Sequence, residues 1–132
     1  MYFYPMEKKI IRTKNAPAPI GPYNQAVAYG NMLFISGQIA LDPKTGDLVM
    51  GSIPEETEKV MKNLEAILAE AGMNFSHVLK TTIFLMDMKM FAEVNEVYGR
   101  YFSGDDAPAR ETVQVAGLPK GVNVEISMIA AF

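Results

Sequence analysis

Residues 52–72, "SIPEETEKVMKNLEAILAEAG", carry the strongest local signal in the chain. Ser52 and Glu55 have the S-x-x-E spacing of a helix capping box. Pro54 falls in the first turn, where its missing N–H costs nothing. Val60, Met61, Leu64, Ile67, Leu68 and Ala71 then recur at helical spacing, and Gly72 supplies the residue that ends the helix. One face of this helix is continuously apolar, so it must lie on something.

The flanking stretches say what it lies on. "HVLKTTIFLM" (77–86) reads as a strand. Asp87 then caps a second helix with an apolar stripe of Phe91, Val94, Tyr98, Tyr101 and Phe102. Upstream, "QAVAYGNMLFISGQI" (25–39) is two apolar runs joined at Tyr29-Gly30-Asn31, a tight hairpin. "EKKIIRT" (7–13) is a candidate first strand, and Asn15–Tyr23, with three prolines and a glycine, is an extended loop rather than helix. Two strands close the chain. In 110–116, Val113 and Val115 share one face while Arg110, Thr112 and Gln114 share the other. In 122–132, Val122, Val124, Ile126 and Met128 oppose Asn123, Glu125 and Ser127.

The order β-β-β-α-β-α-β-β is that of an α+β domain with two helices on one face of a mixed sheet. Residues 7–132 form this single domain, and residues 1–6 form an N-terminal extension, with Met6 as an alternative start. On this reading the uncovered sheet face carries Arg110, Thr112, Gln114, Glu125 and Ser127 beside apolar Ile129. Such a face serves as an oligomer contact or a cleft.

Composition narrows the chemistry. The net charge of −3 in 132 residues disfavours a general grip on nucleic acid, which needs many cations to neutralise phosphates. Zero Cys removes disulfides, thiolate nucleophiles and Cys-ligated metals, and fits a cytoplasmic protein. His77 is the one histidine, too few for a His-rich zinc site. No apolar run is long enough for a membrane span, and "MYFYPMEKK" lacks the order of a secretory signal. Lys44-Thr45-Gly46 does not have phosphate-loop spacing.

The chemistry-bearing candidates each have two readings. Arg110 is either a solvated cation at a strand start or an anchor binding a carboxylate through paired hydrogen bonds. Glu111 is its neighbour and a candidate salt-bridge partner. Glu125 is either solvent-facing or a shielded carboxylate with a raised pKa that can shuttle protons. Asn95 falls on the apolar stripe of the second helix, where a buried amide needs partners and either ties the helix to a neighbouring loop or contacts substrate directly, and Asn63 takes the same reading on the first. Tyr23 lines a pocket or pins its loop. At Ser36-Gly37 the glycine lets a ligand approach the backbone or marks a β-bulge.

The ordered set "APxxIGPYxQA" (Ala16–Ala26), "SGQI" (Ser36–Ile39), "FAEVNEVYGRYF" (Phe91–Phe102), "PAR" (Pro108–Arg110) and "LPKxVxVEI" (Leu118–Ile126) resembles the Rid family. These are the reactive-intermediate deaminases, also called YjgF-like or perchloric-acid-soluble proteins, and the likeness is to their deaminase-type branch. The resemblance implies a chorismate-mutase-like fold in a homotrimer with clefts between subunits. It implies hydrolysis of small 2-imino acids, 2-iminobutanoate and 2-iminopropanoate, to 2-oxo acids and ammonia, with no cofactor or metal. By the same resemblance Arg110 holds the substrate carboxylate and Glu125 activates water. Tyr23, Ser36 and Gly37 shape the pocket, the Thr112 backbone contacts the imine nitrogen or water, and Asn95 supports the site. The chain departs from the pattern at Glu111-Thr112, where many members have Ser-Cys, at Gly117 for Arg, and at Ser127 for a second Glu. The alternatives carried are an endoribonuclease or translation inhibitor, and a non-catalytic trimer that binds small carboxylates.

Overall fold

A computed structural model of the chain describes residues 6–102 and 104–132. Most of the N-terminal extension therefore lies outside the described residues. A six-stranded mixed sheet has the order β1-β2-β3-β6-β4-β5, with β1 Lys9–Ile11, β2 Ala26–Tyr29, β3 Met32–Gln38, β4 Val78–Leu85, β5 Ala109–Gln114 and β6 Val124–Ala131. Among the described residues only β4 and β5 run parallel, joined by helix α2, Phe91–Gly99. Helix α1, Ile53–Glu70, packs over β3 and β6, and the two helices pack on each other.

The local signals explain these elements. Ser52 Oγ accepts the Glu55 N–H at 3.2 Å, which is the forward half of the capping box. Gly72 takes φ +77° just past α1, a conformation that costs other residues a steric penalty. Gly30 takes φ +61° between the last hairpin pair, Tyr29 and Met32. Asp87 caps a 3₁₀ turn, Met88–Met90, and α2 begins only after it. Tyr101 and Phe102 lie beyond the end of α2, and Phe102 still packs against Tyr98 at 4.8 Å. His77 closes a capping box with Asn74 and stacks edge-on to Phe132, so the lone histidine ends a turn.

The core lies between sheet and helices. Leu33, Ile35, Ile83, Leu85, Val124, Ile126 and Met128 from the strands meet Val60, Met61, Leu64, Ile67, Leu68 and Val94 from the helices. The opposite sheet face is bare and partly apolar, with Phe34 46% and Val113 40% exposed. Among the described residues, no helix is long and apolar enough to cross a membrane.

Candidate active site

The site residues fall into two groups on opposite faces of the sheet. The first is built around Arg110 on the edge strand β5. Arg110 is in register with Thr81, a wholly buried residue of the helix-covered face. Its guanidinium lies 5.0 Å from the Tyr98 ring and 5.5 Å from the Phe91 ring, and Nη1 donates to Asn95 Oδ1 at 2.7 Å. Among the described residues it forms no ion pair with a carboxylate. Thr112 follows on the same face, its Oγ1 enclosed and without a partner among the described residues, and Gln114 Oε1 accepts the Met88 N–H at 2.8 Å. Val115 N–H bonds back to Leu85, so strand alternation turns the Thr112 N–H outward to the unpaired edge beside Arg110.

The second group surrounds Glu125 on β6, which is paired with Phe84 on the bare face. Glu125 is half-buried, and desolvation raises its pKa above the ordinary glutamate range. Its carboxylate packs directly on Gly37: a Cβ there would stand 2.8 Å from the carboxyl carbon and from Oε2. Gly37 sits where the β3–β6 register shifts between Ile35 and Gln38, as the β-bulge reading of Ser36-Gly37 requires. Ser36 Oγ donates to the Asn24 carbonyl at 2.6 Å and ties down the loop that carries Tyr23. Tyr23, 47% exposed, borders with Ser36 and Ser127 an open concavity of about 440 Å³. Gln25, buried beneath, holds the proline-rich loop through its amide, which reaches the carbonyls of Thr13, Ala16 and Pro17.

Three sequence readings need correction. Arg110, Thr112 and Gln114 do share a face, but it is the helix-covered one; Glu125, Ser127 and Ile129 lie on the other. Alternation in an edge strand shows which residues share a face, not which face is core, and here Val113 is the outward one. Asn95 is exposed rather than buried, on the flank of α2 that overlooks β5, where it meets Arg110. Glu111 does not engage Arg110. It turns to the bare face, where Lys80 Nζ at 3.1 Å and the Thr82 hydroxyl hold its carboxyl below the usual range.

Asn63 behaves as its tying role requires, donating to the carbonyls of Ile39 and Leu41 at 3.0 Å each. The sequence reading missed Glu56. Completely buried in the first turn of α1, its carboxylate accepts from Asn123 N and Asn123 Nδ2 at 2.8 Å and from Val124 N at 3.1 Å. It fixes the start of β6 one residue before Glu125. The signal was its position four residues before Val60, on the apolar stripe.

A larger concavity, about 720 Å³, lies between α1 and the turn after α2, lined by Pro54, Lys59, Tyr101 and their neighbours. None of the residues above reaches it, and its flanking cations are paired, Lys62 with Glu65 and Arg100 with Glu96. Among the described residues, no three His, Asp or Glu side chains gather as metal ligands would.

Within one chain, then, a guanidinium with no carboxylate partner among the described residues and a half-buried carboxylate are separated by strand β4, roughly 10 Å across the sheet, and face opposite ways. That arrangement leaves two candidate half-sites, a cation at the sheet edge and a half-buried carboxylate on the bare face.

The family model for Endoribonuclease L-PSP matches residues 13–132. A RutC family protein of Pyrococcus horikoshii is 53% identical over 93% of this chain and 97% of its own. The 2-iminobutanoate/2-iminopropanoate deaminase of Mus musculus is 51% identical over 93% and 90%. Among solved structures, E. coli TdcF with bound serine superposes with a TM-score of 0.88 at 42% identity, covering 94% of this chain and 98% of that one. The chain belongs to this family of L-PSP, YjgF-like or Rid proteins, and its two helices on a mixed six-stranded sheet match the family fold.

Proposed function

We propose that the chain hydrolyses small 2-imino acids to 2-oxo acids and ammonia, in clefts formed between the subunits of a homotrimer. The observation that carries the reading is Arg110: a guanidinium held by two rings and an amide, with no carboxylate partner among the described residues. A cation fixed in place but uncompensated is suited to an anionic ligand. The named activity of the mouse relative and the serine bound to TdcF agree with a small carboxylate that bears nitrogen beside it.

The half-sites supply the chemistry once a neighbour's bare face meets the edge of β5. Arg110 of one subunit takes the substrate carboxylate, with the Thr112 N–H at the same edge. Glu125 of the neighbour, on its Gly37 floor in a cleft that Tyr23 and Ser36 shape, accepts a proton from water as the oxygen bonds to the imine carbon. That proton passes to nitrogen, Glu125 takes the remaining hydroxyl proton as the C–N bond breaks, and ammonia leaves as the 2-oxo acid forms. The iminium carbon is already electrophilic, so orientation and one base suffice, and orientation alone contributes several kcal/mol. The bare, half-apolar face is then covered by the neighbour instead of by solvent.

The test generates 2-iminobutanoate in situ with a threonine dehydratase and follows its conversion to 2-oxobutanoate. Wild type accelerates the conversion, and Arg110→Ala and Glu125→Ala do not. A wild type that gives no acceleration removes the proposal. RNA cleavage that survives both substitutions and repeated purification would favour the endoribonuclease reading instead.

A further inference from the structure

We propose that Phe91 and Tyr98 are positioning residues for the anion anchor, forming an aromatic seat that holds the Arg110 guanidinium in its binding pose before substrate arrives. The inference rests on the reading of Arg110 as a carboxylate anchor.

Arginine on an exposed edge strand has several rotatable bonds, and binding normally has to order them. Here that ordering is already present. Phe91 and Tyr98 lie seven residues apart on α2, two turns along the same face, and both rings stand within cation–π range of Arg110, at 5.5 and 5.0 Å. Asn95, between them in the chain, takes one N–H from Nη1. Arg110 has no other hydrogen bond among the described residues, so the Nε and Nη2 donors remain for a ligand. The guanidinium is thus held by two rings and one amide, while its remaining N–H donors are left open.

Tyr98 is itself fixed. It is 5% exposed, its hydroxyl shares a buried 2.8 Å hydrogen bond with Thr81, and its ring packs against Phe102 at 4.8 Å. Burial raises the Tyr98 hydroxyl above its ordinary pKa, while Thr81 and the nearby Arg110 charge oppose the rise. Thr81 is also the register partner of Arg110 on β4. One strand pair therefore sets both the cation and the ring beneath it. Nothing in the local sequence around Arg110 reveals this, because the seat comes from the helix that precedes it.

The experiment measures 2-oxobutanoate binding by titration calorimetry, with KM and kcat for 2-iminobutanoate, on variants matched for circular dichroism and oligomeric state. Arg110→Ala should abolish binding. Phe91→Leu and Tyr98→Leu should each weaken it roughly 3- to 30-fold, the range expected for losing a cation–π contact, with KM rising and kcat changing far less. Tyr98→Phe, which keeps the ring, should recover the binding that Tyr98→Leu loses. If Tyr98→Leu does not fold, Phe91→Leu decides alone. Phe91→Leu binding as tightly as wild type, while Arg110→Ala binds nothing, overturns the seat and leaves the anchor standing. Arg110→Ala binding like wild type overturns the anchor, and the seat with it.

Discussion

Gly37→Ala is the most informative single methyl. Gly37 has no left-handed backbone to protect, so the substitution acts through space alone. The new Cβ would stand 2.8 Å from the carboxyl carbon and from Oε2 of Glu125, and 3.0 Å from Cγ. Ordinary contact at about 3.4 Å or more requires a shift of roughly 0.6 Å, and the Glu125 side chain is the softer partner to move. A displacement of about 1 Å at a catalytic group costs on the order of 100-fold in rate, so a loss of roughly 10- to 100-fold in kcat is expected. KM should stay within about threefold, because Arg110, proposed to hold the carboxylate, lies on a different face. Where Glu125 swings clear the fold should lose under ~1 kcal/mol; where it is trapped, about 1–3 kcal/mol. The assay is 2-iminobutanoate hydrolysis alongside thermal melting. In the Glu125→Gln background the same methyl should change the residual rate little. A Gly37→Ala protein with wild-type kcat would refute the claim that this glycine makes room for a working carboxylate.

Three further outcomes follow from the same contacts. Glu125 has a raised pKa in the folded chain, so the folded state binds its proton more tightly than the unfolded state does. Its contribution to stability is therefore greatest below the ordinary glutamate range and is lost as pH rises through the raised value; Glu125→Gln should raise the melting temperature at pH 7.5 relative to wild type and lose that advantage at pH 4. Glu56→Ala should strand the N–H groups of Asn123 and Val124 and destabilise by roughly 2–5 kcal/mol in urea titration, and a loss under ~1 kcal/mol would contradict its role. Glu111→Gln should leave 2-oxobutanoate affinity unchanged, since Glu111 faces Lys80 on the other side of the sheet; a tenfold change would contradict the face assignment.

What could be read from the residues was what local chemistry decides. The Ser52 cap, the α1 stripe, the Gly30 turn and the inward set Val124, Ile126 and Met128 depend on neighbours a few positions away, and all appear in the fold. Asp87 marked the right place but capped a 3₁₀ turn ahead of α2. The faces of β5 were not legible: its parallel partner and the helix over it are set by tertiary packing, and Val113 looks as core-like as Val124. The roles of Arg110, Glu125, Tyr23, Ser36, Gly37, Asn95 and Thr112 came from family resemblance, since spacing left each with an ordinary alternative. The structure adds the physical partners: Asn95 and two rings for Arg110, Gly37 for Glu125, the Asn24 carbonyl for Ser36. Glu56 was hidden because "PEETEK" reads as a solvated acidic turn unless each glutamate is placed on the helical period.

The central claim is that Arg110 and Glu125 act together only across a subunit boundary, and mixing inactive variants tests it most directly. Arg110→Ala and Glu125→Gln proteins are denatured together in equal amounts, refolded, and assayed against each protein refolded alone. If each cleft draws its arginine from one subunit and its glutamate from the next, random reassembly restores about a quarter of the wild-type clefts, and deamination should recover to about that level. Activity that stays at the level of the separate variants, in oligomers shown to contain both chains, would mean that one chain supplies both groups, and would contradict the account.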